Sequence, residues 1–254
     1  FPHPVKELAD FLKGHDMHIN YDAAHVAGLI AGGKFQDPLR EGTDTMTMST
    51  HKTLFGPQGG LVLGFEKHAE PIKKAMFPGL TSSHHIHHMG AKAVAFAEAL
   101  EFGKDYAEQT IKNAKALASE LNNVGFKVLG EKRGYTESHQ TVVNVLDYGD
   151  GGTIEADLEK ANIIVNRQLI PGDLKANRHY MHPGGIRLGT SEITRLGMKE
   201  SEMKEIASLL KQVVVDKKDA GEIAARVKEF KTDFKKTQYC FDNKLGAYEY
   251  VKLR

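Results

Sequence analysis

Only one cysteine, Cys240, occurs in the 254 residues. A single thiol excludes an internal disulfide framework and suits a reducing compartment, so the expected location is cytoplasmic. No charge of one sign is in excess, since 34 lysines and arginines face 33 aspartates and glutamates. That balance gives no reason to expect nucleic acid or an anionic membrane as a partner, whereas a small anionic ligand needs only a local basic pocket. Long apolar runs are missing too, none approaching the ~20 residues that span a bilayer. The opening residues, Phe1-Pro2-His3-Pro4-Val5-Lys6-Glu7, have neither an initiator methionine nor the basic-then-apolar order of a signal peptide. The expectation is a chain that starts inside a longer protein. Internal repeats and low-complexity tails are absent as well. What is there is the composition of a soluble globular protein, 41% hydrophobic, long enough for one large domain or two modest ones with a substantial core.

Apolar residues at helical spacing predict a helix over residues 5–13, stopped by Gly14, and residues 17–21 read as a short strand ending beside Asp22. Residues 28–42 are expected to be loop and short helix, and residues 43–49 and 61–65 to be strands, so that Lys52 hangs from a connection between two buried strands. Helix then breaks at Phe77-Pro78-Gly79 and resumes over residues 86–122, an alanine-rich stretch suited to bridging two domains. Beyond it, strands are predicted at 127–130, 141–146, 163–165 and 186–189, a helix at 153–161, and two or three helices within 191–236. The alternation points to an α/β sheet whose ligands sit beyond strand ends, followed by a smaller α+β domain.

The chemistry concentrates in Thr47-Met48-Ser49-Thr50-His51-Lys52-Thr53-Leu54-Phe55-Gly56-Pro57-Gln58-Gly59-Gly60. A lysine placed after a strand, flanked by hydroxyls and followed by a tight glycine turn, suits an amine that forms a Schiff base. Upstream, Asp22-Ala23-Ala24-His25-Val26-Ala27-Gly28 offers a carboxylate and an imidazole three residues apart. Those are the further groups that pyridoxal 5'-phosphate requires at its ring. Taken alone, Asp22 reads equally as a helix or turn cap, and His51 serves equally well as a structural histidine.

Together the two stretches resemble the serine hydroxymethyltransferase family, in which an Asp-x-Ala-His-x-x-Gly segment precedes a Thr-His-Lys-Thr-Leu-x-Gly-Pro-x-Gly-Gly segment. The resemblance implies a fold of the pyridoxal-phosphate-dependent transferase type, related to aspartate aminotransferase. Residues 1–102 are then the back part of the cofactor-binding large domain, and residues 103–254 a small α+β C-terminal domain. It implies Lys52 as the imine lysine, Asp22 as the partner of the ring nitrogen, and His25 and His51 as residues close to the cofactor. Arg187, in Pro183-Gly184-Gly185-Ile186-Arg187-Leu188-Gly189-Thr190, corresponds to the arginine that receives the amino-acid carboxylate. Gln168 falls where a family asparagine touches the folate-type cosubstrate. Ser82-Ser83 stands in place of the usual Gly-Gly that lends amides to the cofactor phosphate across a homodimer interface, keeping both amides and adding hydroxyls.

The implied reaction is interconversion of serine and glycine with a reduced pterin as one-carbon carrier. A pterin-independent aldolase acting on threonine-like β-hydroxy amino acids, and a non-catalytic partner subunit of the same fold, are the competing readings. Gln58, where bacterial and eukaryotic members of the family have arginine, and Ser82-Ser83 mark a divergent, archaeal-type branch and leave the carrier open between tetrahydrofolate and tetrahydromethanopterin. The run His84-His85-Ile86-His87-His88 contains no cysteine or carboxylate, so adventitious rather than physiological metal binding is expected there, and no metal site is assigned.

Overall fold

The structure, a computed structural model, describes residues 1–242, 244, 246 and 247. The chain divides into two compact units, Phe1–Glu108 and the part from Gln109 onward. In the first unit, α1 (Val5–Phe11) precedes β1 (Asn20–Asp22), α2 (Ala27–Ala31), α3 (Pro38–Glu41), β2 (Thr45–Ser49) and β3 (Gly60–Gly64). After a 3-10 turn come α4 (Ala69–Lys74), an irregular wide turn over Ala75–Leu80 and the start of α5 (Ile86–Asn123). The helix break expected at Phe77-Pro78-Gly79 is therefore present, and α5 has nearly the predicted bounds.

The first sheet has the order β1-β2-β3. β1 runs parallel to β2, pairing Asp22 with Thr47, and β2 runs antiparallel to β3, pairing Ser49 with Gly60. The ladder continues one residue past β1 through the Ala23 N–H, which donates to the Thr47 carbonyl at 2.7 Å. Val5, Tyr21, Ala23, Ala27, Met46, Met48 and Leu54 form the buried cluster of this unit. One expectation fails here. β2 is largely buried, but β3 is not, with Leu63 41% exposed, because β3 is an edge strand of the sheet as described. The Lys52 turn thus links one buried strand to one open strand.

The second unit contains the remainder of α5, then β4 (Lys127–Val128), β5 (Gln140–Asn144), α6 (Gly151–Lys160), β6 (Asn166–Gln168), β7 (Gly185–Gly189), α7 (Ser191–Arg195), α8 (Glu200–Val214) and α9 (Ala220–Phe230). Its sheet has the order β4-β5-β7-β6 with every pair antiparallel. Leu121, Val143, Ile154, Ile186, Leu210 and Ile223 are among the residues of its core. The strand expected over 163–165 begins instead at Asn166. The reason is the exit from α6: Asn162 takes a left-handed φ of 59°, and the Ala161 and Ile163 N–H groups both return to the Leu158 carbonyl, so the helix cap consumes the start of the apolar run. No helix among the described residues is long and apolar enough to cross a membrane.

Candidate active site

Two turns at the carboxyl ends of β1 and β2 build the site. Because the two strands are parallel neighbours in register, the turn after Asp22 and the turn after Ser49 emerge on the same edge of the sheet. Asp22 ends β1 exposed, with its Oδ1 accepting the Ala24 N–H at 2.9 Å, so the backbone folds tightly around it towards His25. In the neighbouring turn, Lys52 is half-buried and its Nζ lies 3.4 Å from His25 Nε2. The sequence-predicted lysine, acid and imidazole are thus gathered on one pair of adjacent connections.

A threonine holds the two turns together. The Thr53 hydroxyl donates to the His25 carbonyl at 2.9 Å and accepts the Gly28 N–H at 3.0 Å. Thr53 is 1% exposed, so both bonds form out of water, where an unmade bond is expensive. Gly28 lets α2 approach, since a Cβ built there would stand 2.0 Å from the Thr53 carbonyl oxygen. Thr50 performs a similar task within the lysine turn. Its N–H donates to the Gly59 carbonyl at 3.0 Å, its hydroxyl to the Pro57 carbonyl at 2.7 Å, and its own carbonyl accepts the Gly56 N–H at 2.7 Å. Phe55 takes a left-handed φ of 46° between them and sets its ring edge-on to Tyr106, with centroids 4.9 Å apart. For a bulky aromatic residue that backbone region is disfavoured, and here the closed turn imposes it.

His51 meets the glycine turn, its Nδ1 3.3 Å from the Gly59 oxygen and 3.4 Å from the Gly59 nitrogen. Gln58 is exposed on the same turn, and Lys92 of α5 reaches it, with Nζ 3.4 Å from the Gly60 oxygen. Ser82 and Ser83 lie exposed on the segment leading into α5. The histidine run follows them, with ring centroids of His85, His87 and His88 between 4.4 and 5.6 Å apart. Desolvation first, then the charges of His87, His85 and Lys92, push the His88 imidazole below its usual range.

Arg187 and Gln168 belong to the second unit. Arg187 occupies the middle of β7, opposite Val142 on β5 and Asn166 on β6. Its Nη2 donates to Asn166 Oδ1 at 3.2 Å. Side chains alternate across a strand, so Asn166 and Gln168 share the face of the sheet that carries Arg187. Gln168 Nε2 donates to the Leu169 carbonyl at 3.0 Å. The loop between β6 and β7 is anchored by Asp173, 2% exposed, whose Oδ2 accepts the Ile170 N–H at 2.9 Å and the Gly184 N–H at 2.7 Å. Arg178 faces its other oxygen at 3.5 Å. After β7, the Thr190 hydroxyl donates to the Thr110 carbonyl at 2.8 Å, fixing where the strand ends.

Nothing in the sequence singles out Thr53, Thr50, Gly28, Asn166 or Asp173 for these contacts. The hydroxyls around Lys52 form a visible cluster, but which of them crosses to the other turn depends on strand pairing.

The family model for serine hydroxymethyltransferase matches residues 3–210. A serine hydroxymethyltransferase from Nitrosopumilus maritimus (strain SCM1) is 78% identical over 254 residues, which is 100% of this chain and 58% of the relative. Another from Cenarchaeum symbiosum (strain A) is 74% identical, again over 100% of this chain and 58% of the relative. Among solved structures, L-threonine transaldolase from Pseudomonas fluorescens in the internal aldimine state superposes with a TM-score of 0.85 at 33% identity, covering 96% of this chain and 55% of that one. The chain therefore spans little more than half the length of the proteins it matches.

Proposed function

The chain belongs to the serine hydroxymethyltransferase family, and from that premise we propose that the protein interconverts serine and glycine, with pyridoxal phosphate as cofactor and a reduced pterin, tetrahydrofolate or tetrahydromethanopterin, as the one-carbon carrier. The observation that carries this reading is the Lys52 amine at 3.4 Å from His25 Nε2, in a turn tied by Thr53 to the segment that bears Asp22. The donor set fits the cofactor's chemistry. It offers a primary amine for the aldehyde, a carboxylate for a ring nitrogen, and an imidazole beside the amine. Bound there, pyridoxal phosphate supplies a ring that accepts the electron pair left when a bond to the amino acid's α-carbon breaks.

This chain's own residues then have separate tasks. Lys52 would hold the cofactor through its side-chain amine, beside the position open to the substrate amine. Asp22 keeps the proton on the pyridine nitrogen. His25 hydrogen-bonds beside Lys52 and orients what the lysine carries, and His51 packs the turn against Gly59. Arg187 grips the substrate carboxylate with two parallel hydrogen bonds, and Asn166 restrains its guanidinium. Gln168, on the same sheet face, meets the pterin. Ser82 and Ser83 offer amides and hydroxyls to the cofactor phosphate of a partner subunit, which makes the working form a homodimer, and we place it in the cytoplasm as an enzyme of one-carbon metabolism.

The test is an assay of the purified full-length protein, loaded with pyridoxal phosphate, on serine with and without each pterin and on threonine without any. Glycine release from serine that depends on a pterin supports the proposal. Cleavage of threonine alone would replace it with the aldolase reading, and no turnover of either substrate would leave a non-catalytic subunit. Borohydride reduction of the same preparation, followed by peptide mapping, is expected to find the pyridoxyl group on Lys52. Label on a different lysine would remove the assignment.

A further inference from the structure

We propose that His18, Asp44 and His68 form a binding site for one divalent ion of the zinc class, at the end of the first sheet opposite the Lys52 turn. His18 lies just before β1, Asp44 just before β2, and His68 closes the 3-10 turn after β3. β3 runs antiparallel to its neighbour, so two strand starts and one strand end meet at this edge, and the potential ligand atoms all lie within 4.8 Å of one another. His68 Nε2 is 3.3 Å from Asp44 Oδ1, and His18 Nδ1 is 3.9 Å from Asp44 Oδ2. The two imidazoles pack edge to face at 87°, with centroids 4.9 Å apart.

The hydrogen-bond chain behind His18 fixes which nitrogen faces the carboxylate as a lone pair. The Thr45 hydroxyl donates its single proton to Asn20 Oδ1 at 2.9 Å. Towards His18 Nε2, also 2.9 Å away, it can therefore only accept. In the neutral ring that acceptor places the hydrogen on Nε2, and Nδ1 then offers its lone pair towards the Asp44 carboxylate 3.9 Å away, whereas a protonated ring would pair with it directly. Two electron pairs facing each other repel, and a cation between them removes the conflict. A metal-ligating imidazole whose second nitrogen donates to a fixed acceptor is the usual outer support of a metal ligand. Asp44 is braced in the same way, its Oδ2 accepting the Ile19 N–H at 3.0 Å.

Two imidazoles and one carboxylate make a nitrogen-rich set that favours zinc and its transition-metal neighbours over calcium or magnesium, with a fourth position left for water. Lys67 also reaches Asp44 Oδ1, at 3.3 Å, on a side chain that is 65% exposed, and it is the group an incoming ion displaces. An ion held at this edge ties the ends of all three strands together, so its binding adds to folding stability rather than to the chemistry at Lys52.

The experiment uses the protein loaded with pyridoxal phosphate, with His84, His85, His87 and His88 all changed to glutamine so that the exposed run cannot compete. Zinc is measured by equilibrium dialysis with elemental analysis, and unfolding midpoints are read in zinc and in chelator. One equivalent of zinc is expected, with a midpoint that rises in zinc. In the His18→Ala and His68→Ala variants both effects disappear while the midpoint in chelator stays near that of the parent. Thr45→Val, which keeps shape but loses the acceptor for His18, is expected to weaken binding about 10- to 100-fold. Equal zinc binding by the parent and by His18→Ala, or loss of all zinc on replacing the exposed run alone, would overturn the proposal.

Discussion

Gly28 faces the backbone of Thr53 so closely that a methyl group on it would lie 2.0 Å from the Thr53 carbonyl oxygen and 2.3 Å from its carbon. Backbone cannot yield as a flexible side chain does. The contact therefore sets how near the helix after Asp22 can come to the turn that carries Lys52, and with it the 3.4 Å between Lys52 Nζ and His25 Nε2.

Gly28→Ala is expected to separate the two turns. Overpacking against a rigid neighbour should destabilise by about 3 kcal/mol, at the upper end of what inserted methyl groups usually do. Denaturant unfolding gives that figure, and the same variant should retain less pyridoxal phosphate on dialysis. An unchanged midpoint with full cofactor retention would show that the approach is not tight.

Thr53→Val keeps the shape of the side chain and deletes its hydroxyl. The His25 carbonyl and the Gly28 N–H then each lose a partner in a buried place, for a loss of about 2–4 kcal/mol in total. Thr53→Ser should restore most of it. Rescue by serine separates the hydrogen bonds from simple packing.

Arg187→Ala is expected to damage substrate binding while leaving cofactor attachment at Lys52 intact. Truncating one side of a charge-assisted pair costs roughly 2–5 kcal/mol where water is excluded. Asn166→Ala should have a smaller effect of the same kind, because the guanidinium keeps its charge and loses only its restraint. Serine affinity, followed through the cofactor's visible absorbance, reads both variants, and unchanged affinity in Arg187→Ala would rule out the carboxylate role.

Asp150 predicts a response to acid. It caps α6, accepting the Gly152 N–H at 2.9 Å, the Thr153 N–H at 3.2 Å and the Thr153 hydroxyl at 2.8 Å, with His182 Nδ1 at 3.2 Å. Burial works against its charge, but the hydrogen bonds from Thr153, His182 and Gly152 together outweigh it and bring the carboxyl down to about 2. A pKa depressed in the folded state gives stability that is complete above the unfolded value, near ~3.9, and is lost as pH falls towards 2. Asp150→Ala should cost about 1 kcal/mol at neutral pH and flatten the stability profile between about pH 4 and pH 2. Parallel pH profiles for variant and parent would contradict it.

The periodicity of residues 86–122 announced α5 almost to the residue, because long runs of small and apolar side chains at helical spacing admit little else. The motif around Lys52 and Asp22 likewise carried the family, because its spacing of acid, histidine, lysine and glycine turn is specific along the chain. The short strands were less legible. Residues 163–165 have the composition of a strand, yet the left-handed turn at Asn162 moves the pairing to Asn166, and the cost of closing a helix is not written in three apolar letters. What only the tertiary structure decided are the relations between distant residues: that Thr53 bonds His25 and Gly28, that Asn166 stands opposite Arg187, and that His18, Asp44 and His68 converge on one sheet edge. Each depends on strand register, in which a shift of one residue turns a side chain to the opposite face. Sequence specifies the chemistry a residue can perform, and pairing across the sheet determines which residues perform it together.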